Sequence, residues 1–204
     1  MGSALPLVLP EFHSLLFAVR RCAIASRSRP AANLQITDDE RLGELHKQGF
    51  RLLRSSGDGS NCLVHSLALV LAAAGLIQDM GDWSTACADA RQHFAGAPGL
   101  QPMSPAGVPN PGAYLEHGRH GPPAVQMLVE AHGLPGPAAA VKVTVHARYD
   151  TAGSPPDSFE APIAAAAPGR GGATAFLHLW NWTGDGTSGY HYDGLVPPHR
   201  GRAF

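Results

Sequence analysis

The sequence predicts an α+β domain. Helical periodicities crowd the early part of the chain, period-two strands crowd the late part, and neither βαβ alternation nor an internal repeat is present. With 204 residues, 44% of them hydrophobic, the chain can bury one sizeable core.

Taken in order, residues 11 to 26 place Phe12, Leu15, Leu16, Val19 and Ile24 at helical spacing, and the polar "RSRPAANL" ends that stretch. Thr37 with Glu40 three residues on forms a capping box for a short amphipathic helix to about Gln48, where Gly49 stops it. "FRLLR" (50–54) reads as a short strand. Residues 62 to 74 are apolar on nearly every face apart from His65 and Ser66, as a helix central to a core must be. "WSTACADARQHFAG" (83–96) is an amphipathic helix, and the Pro- and Gly-dense stretch after it is loop. Pro122 and Pro123 suit the first turn of a helix that Gly133 closes.

The strands come last. Val141, Val143 and Val145 alternate with Lys142, Thr144 and His146, the pattern of a half-buried strand. "APIAAAAPGRGG" (161–172) reads as linker. "TAFLHLWNW" (174–182) and "GYHYDGLV" (189–196) are two strands of a hairpin joined by the turn-rich "TGDGTS".

Composition narrows the function classes. A formal net charge of −1 provides no basic field to hold nucleic acid or an anionic membrane. Cys22, Cys62 and Cys87 match neither a disulfide framework nor a metal clip, which points to a reducing compartment. "MGSALPLVLP" lacks a basic n-region and is cut by Pro6 and Pro10, and no segment approaches the ~20 apolar residues of a membrane span. A cytoplasmic, monomeric protein without cofactor or metal is the expectation.

One stretch carries chemistry. "SGDGSNCLVHSLALVL" (56–71) passes from a glycine-rich loop to an apolar helix at Cys62. A thiol there sits beside the unpaired amides and positive dipole end of a helix, which favour its thiolate. Gly57 and Gly59 let the backbone curl so that the amides of Gly59, Ser60 and Asn61 converge as an oxyanion hole. His191 and Asp193, two apart on a strand, share a face and can act as general base and orienting acid, with Asp58 a second candidate acid. Cys22 and Cys87 lie inside amphipathic helices as core residues. His65, three after Cys62, lacks the further ligands that a zinc site needs.

"GDGSNCLVHSL" resembles the nucleophile box of the OTU (ovarian tumour) cysteine proteases, usually Asp-Gly-x-Cys-Leu. "TAFLHLWNW...GYHYDGLV" resembles that family's closing strand pair with its Gly-x-His-Tyr-Asp/Asn box, and "EHGRHGPPAVQMLVEAHGLPGPAAAVKVTVH" is similar to the stretch between them. The likeness spans about residues 50 to 196. It implies a papain-like fold of OTU type, with a buried nucleophile helix packed on a small, largely antiparallel sheet. Residues 49–204 would form the catalytic domain and 1–48 a helical extension.

The likeness further implies a deubiquitinase: Cys62 the nucleophile, His191 the base, Asp193 or Asp58 the orienting acid, and the bond after a ubiquitin-type Gly-Gly tail the target. The family sets its Asp three residues before the Cys, whereas Asp58 precedes Cys62 by four, which moves the orienting role toward Asp193. Glu116, His120, Trp182 and Tyr192, with Asp185, are the expected contacts for ubiquitin's basic, extended tail. The rivals are another papain-like hydrolase (a peptidoglycan peptidase or transglutaminase-like enzyme) and an inactive OTU-like binding module. For a bacterial source, which the Ala-, Gly- and Pro-rich composition fits, ubiquitin as partner implies a secreted effector acting in the host cytosol.

Overall fold

A computed structural model describes residues 40–56, 60–136, 138–147, 156–163, 173–182 and 191–198. All of these fall in one compact unit, Ile36–Phe204. The helix expected over 11 to 26, the capping Thr37 and the hairpin turn at 183–188 lie outside the described residues.

The chain runs α1 (Glu40–Lys47), β1 (Arg51–Leu53), α2 (Cys62–Ala73), α3 (Ser84–Gly96), α4 (His117–His132), β2 (Ala138–Ala147), β3 (Asp157–Pro162), β4 (Ala173–Trp182) and β5 (His191–Val196). The five strands form one sheet in the order β1-β5-β4-β2-β3. Three of its four pairings are antiparallel and β2 with β4 is parallel. The parallel pair follows from two reversals: β3 turns back along one edge of β2, and β4 turns again to lie along the other. The architecture is α+β with a mixed sheet.

Strand alternation sorts the two faces. On one, Leu177, Leu179, Val141, Val143, Val145 and Tyr192 meet Leu63, Val64, Leu67 and Leu71 of α2 and Leu128 of α4 in the main core. On the other, Trp180 and Leu195 pack with Leu42 and Leu45 of α1, with Phe50, Leu52 and Trp182 at the border. Helix α1, grouped with the N-terminal extension on sequence grounds, is therefore an integral cover of the sheet. Its end is sharp. Gly49, at φ 89°, donates to His46 O while Phe50 donates to Leu45 O, the Schellman pattern that turns the chain into β1.

Two boundaries differ from expectation. Helix α4 starts at His117, so Pro122 and Pro123 lie in its second turn rather than its first. Proline's fixed φ fits a helix, and the residue before Pro122 is Gly121, which has no Cβ to clash with the proline ring. The start is secured instead by Glu116 and His120: His120 N donates to Glu116 O at 2.8 Å, and Glu116 N donates to His120 Nδ1 at 2.9 Å. The second difference is β3, whose end occupies part of the expected linker. Only Phe159 and Ala161 of β3 alternate inward, too short a pattern to read locally. Among the described residues, no helix is long and apolar enough to cross a membrane.

Candidate active site

The glycine-rich loop enters α2 through Ser60, which adopts a left-handed φ of 59° unusual for a residue with a Cβ, and Asn61, the N-cap. Cys62 is the first helical residue and is only 3% exposed. Asparagine is a favoured N-cap, yet this side chain makes no cap hydrogen bond. Its Oδ1 instead accepts from Arg91 Nε at 2.9 Å. The first turn of α2 contains no acidic side chain.

His191 opens β5, with its side chain about one-third exposed and its imidazole within hydrogen-bonding reach of the Cys62 thiol. Its Nε2 lies 3.3 Å from Asp193 Oδ1. The hydrogen bonds that the ring makes to Asp193 and with Cys62 outweigh burial and push the imidazole pKa up to about 9.

Asp193 has no exposed surface and collects donors from two other segments of the chain. Ser55 N donates to Oδ1 at 2.7 Å; Arg54 Nη1 and Trp182 Nε1 each donate to Oδ2 at 2.8 Å. Burial pushes this carboxyl's pKa up, but the hydrogen bonds from His191, Ser55 N and Trp182 outweigh it and hold the group below the usual carboxylate range. Arg54 also stacks over the Trp182 ring, its guanidinium carbon 5.1 Å from the centroid.

Gly194 sets how closely α2 approaches this strand. A Cβ there would lie 2.7 Å from Val70 Cγ1 of α2 and 3.3 Å from Leu53 Cβ. A Cβ at position 194 would force the strand or Val70 to shift, so glycine permits α2 to pack this closely on β5.

Of the residues singled out from sequence, Cys62, His191 and Asp193 converge, and Ser60 and Asn61 form the approach to them. Asp58, Gly59 and Asp185 lie outside the described residues. The expected substrate contacts are corrected in part. His120 is 1% exposed, packed on Phe94, and has its Nε2 3.0 Å from Leu100 O; burial lowers its pKa, as befits a neutral interior ring. Tyr192 is 1% exposed on the α2 side of the sheet, its hydroxyl 3.1 Å from His117 Nδ1. Neither is a cleft wall. Trp182 serves the Asp193 carboxylate, and Glu116 is an exposed N-cap. His65 accepts a hydrogen bond from Ser56 N at 2.9 Å. Cys87 is buried, and burial together with the nearby Cys62 pushes its thiol up to about 11.

Sequence reasoning missed Arg54 and Ser55, whose positions carry no local pattern, and Arg91, whose position does. On α3 the buried stripe is Cys87, Ala90 and Phe94, and Arg91 stands at the i+4 place beside it. A cation on an apolar stripe is a sign of a buried partner.

Comparison with protein-family models, with curated proteins and with solved structures gave no match. The chemistry therefore rests on the cluster itself: a thiol at a helix N-terminus, an imidazole beside it, and a buried carboxylate behind the imidazole. That set can carry out nucleophilic acyl transfer.

Proposed function

We propose that the protein is a thiol hydrolase of the OTU-like, papain-related kind, cleaving the isopeptide or peptide bond after the C-terminal Gly-Gly of ubiquitin or a ubiquitin-like protein. The observation that carries the chemistry is the alignment of Cys62, His191 and Asp193; the Gly-Gly substrate comes from the sequence resemblance.

In this mechanism the Cys62 thiolate attacks the carbonyl carbon of the last glycine, a C–S bond forms, and the oxygen takes the negative charge. Backbone amides at the start of α2 hold that oxyanion. With Nε2 of His191 turned to Asp193, Nδ1 is the nitrogen left to pass its proton to the departing amine as the C–N bond breaks. Water then attacks the thioester, His191 takes its proton, and the glycine carboxylate leaves Cys62 as thiolate. Asp193 stays ionised throughout and holds the ring in place.

A second reading, a papain-like hydrolase acting on another acyl donor such as a peptidoglycan peptide or a transglutaminase-type amide, gains support from the burial of His120 and Tyr192. A ubiquitin bearing a C-terminal electrophile decides between them. The expected result is covalent labelling of wild type and Cys87→Ala and none of Cys62→Ala. A folded wild type that stays unlabelled rules out ubiquitin.

A further inference from the structure

Arg91 lies on α3, outside the Cys62–His191–Asp193 cluster, yet its guanidinium joins three segments. Nε donates to Asn61 Oδ1 at 2.9 Å and Nη2 to Ser60 O, while Nη1 donates to Pro111 O at 2.8 Å and to Ala113 O. Apart from the Asn61 amide, these acceptors are main-chain carbonyls, so the fork holds backbone.

Two consequences follow from peptide geometry. The Ser60–Asn61 peptide is trans and planar, so a Ser60 carbonyl drawn toward Arg91 turns the Asn61 N–H the opposite way. The left-handed φ of Ser60, unfavourable with a Cβ, occurs where Arg91 holds both the Ser60 carbonyl and the Asn61 side chain. Meanwhile Asn61 Oδ1 is drawn to Arg91, and the N-cap side chain makes no cap hydrogen bond to α2.

We infer that Arg91 is a positioning residue for the proposed acyl transfer, fixing the Asn61 and Cys62 amides as donors to the oxyanion and keeping the N-cap side chain off them. The inference rests on the hydrolase reading above. Charge alone does not perform this task. A lysine keeps the positive charge beside the loop but lacks the planar fork that holds Ser60 O, Asn61 Oδ1 and the 111–113 carbonyls together.

The test uses the full chain and a ubiquitin carrying a C-terminal amide-linked fluorophore, comparing wild type, Arg91→Lys and Arg91→Met. Iodoacetamide labelling of Cys62, followed by mass spectrometry, reports the thiol independently of any oxyanion. In Arg91→Lys the expected result is an unchanged labelling profile across neutral pH, KM within about threefold, and kcat lower on the order of 10²-fold. Full kcat with lysine, or labelling that falls in step with kcat, overturns the inference. Should Arg91→Met not fold, Asn61→Ala removes one acceptor, leaves the charge, and is expected to lower kcat about tenfold at unchanged labelling; an undiminished kcat counts against the inference. If wild type does not cleave the substrate, the ubiquitin reading fails separately. Amide exchange by NMR then decides on Arg91: faster exchange at Asn61 and Cys62 than at Leu67 and Leu71 in Arg91→Lys supports the clamp, and unchanged exchange overturns it.

Discussion

Asp193 Oδ1 lies 3.3 Å from His191 Nε2, and the same fully buried carboxylate also accepts from Ser55 N, Trp182 Nε1 and Arg54. One side chain thus orients the imidazole and ties β1, β4 and β5 together. Asp193→Ala leaves the Ser55 amide and the Trp182 indole without their acceptor. We expect a loss of about 2–4 kcal/mol in urea unfolding and loss of probe labelling. A change below about 1 kcal/mol would show that the carboxylate is not a structural centre.

The His191 pKa, about 9, stands above its ordinary 6.5. A raised folded-state pKa stabilises the fold fully at pH values below about 6.5 and loses that contribution as pH climbs through about 9. The melting-temperature gap between wild type and His191→Gln should therefore narrow over that window. For catalysis the imidazolium must still hold a proton to give to the amine, so kcat should fall with an alkaline limb near pH 9. Because the Asp193 hydrogen bond is the largest cause of the shift, Asp193→Asn should move that limb to lower pH; an unmoved limb assigns it to another group.

Gly194→Ala probes the spacing of α2 against β5. The added methyl meets Val70 Cγ1 at 2.7 Å, and Leu53 and Ser66 close off the other sides. A cost of about 1–3 kcal/mol is expected, together with a fall in probe labelling as the Cys62 end of α2 is pushed from His191. Wild-type labelling in a destabilised variant would separate packing from the site.

Leu42→Ala tests the standing of α1. Leu42 has no exposed surface and packs with Trp180 and Leu195. The substitution should cost about 2–5 kcal/mol, read by denaturant midpoint, with labelling of the surviving folded protein unchanged. A neutral effect would make α1 a dispensable attachment.

Much of the site was legible because its signals are local. A thiol at the meeting of a glycine-rich loop and an apolar run, and two chemistry-bearing residues two apart on a strand, depend only on neighbours and periodicity. The roles of His120 and Tyr192 were not legible, since a polar-tipped ring in a loop or beside a candidate base reads as cleft surface until the fold provides Leu100 O and His117 as partners. Arg91 gives a local sign, a cation beside an apolar stripe, but its acceptors lie 20 to 31 residues away and no local pattern names them.

By itself the chain determined the α+β class, the core helix α2, the alternating β2 and the β4–β5 hairpin pairing, because hydrophobic period and glycine placement act over a few residues. Tertiary structure alone decided the parallel register of β2 with β4, the burial of Asp193 beneath Arg54, Ser55 and Trp182, and the approach of Cys62 to His191. Those contacts join residues up to 139 positions apart, and no local pattern encodes which distant group will satisfy a buried charge.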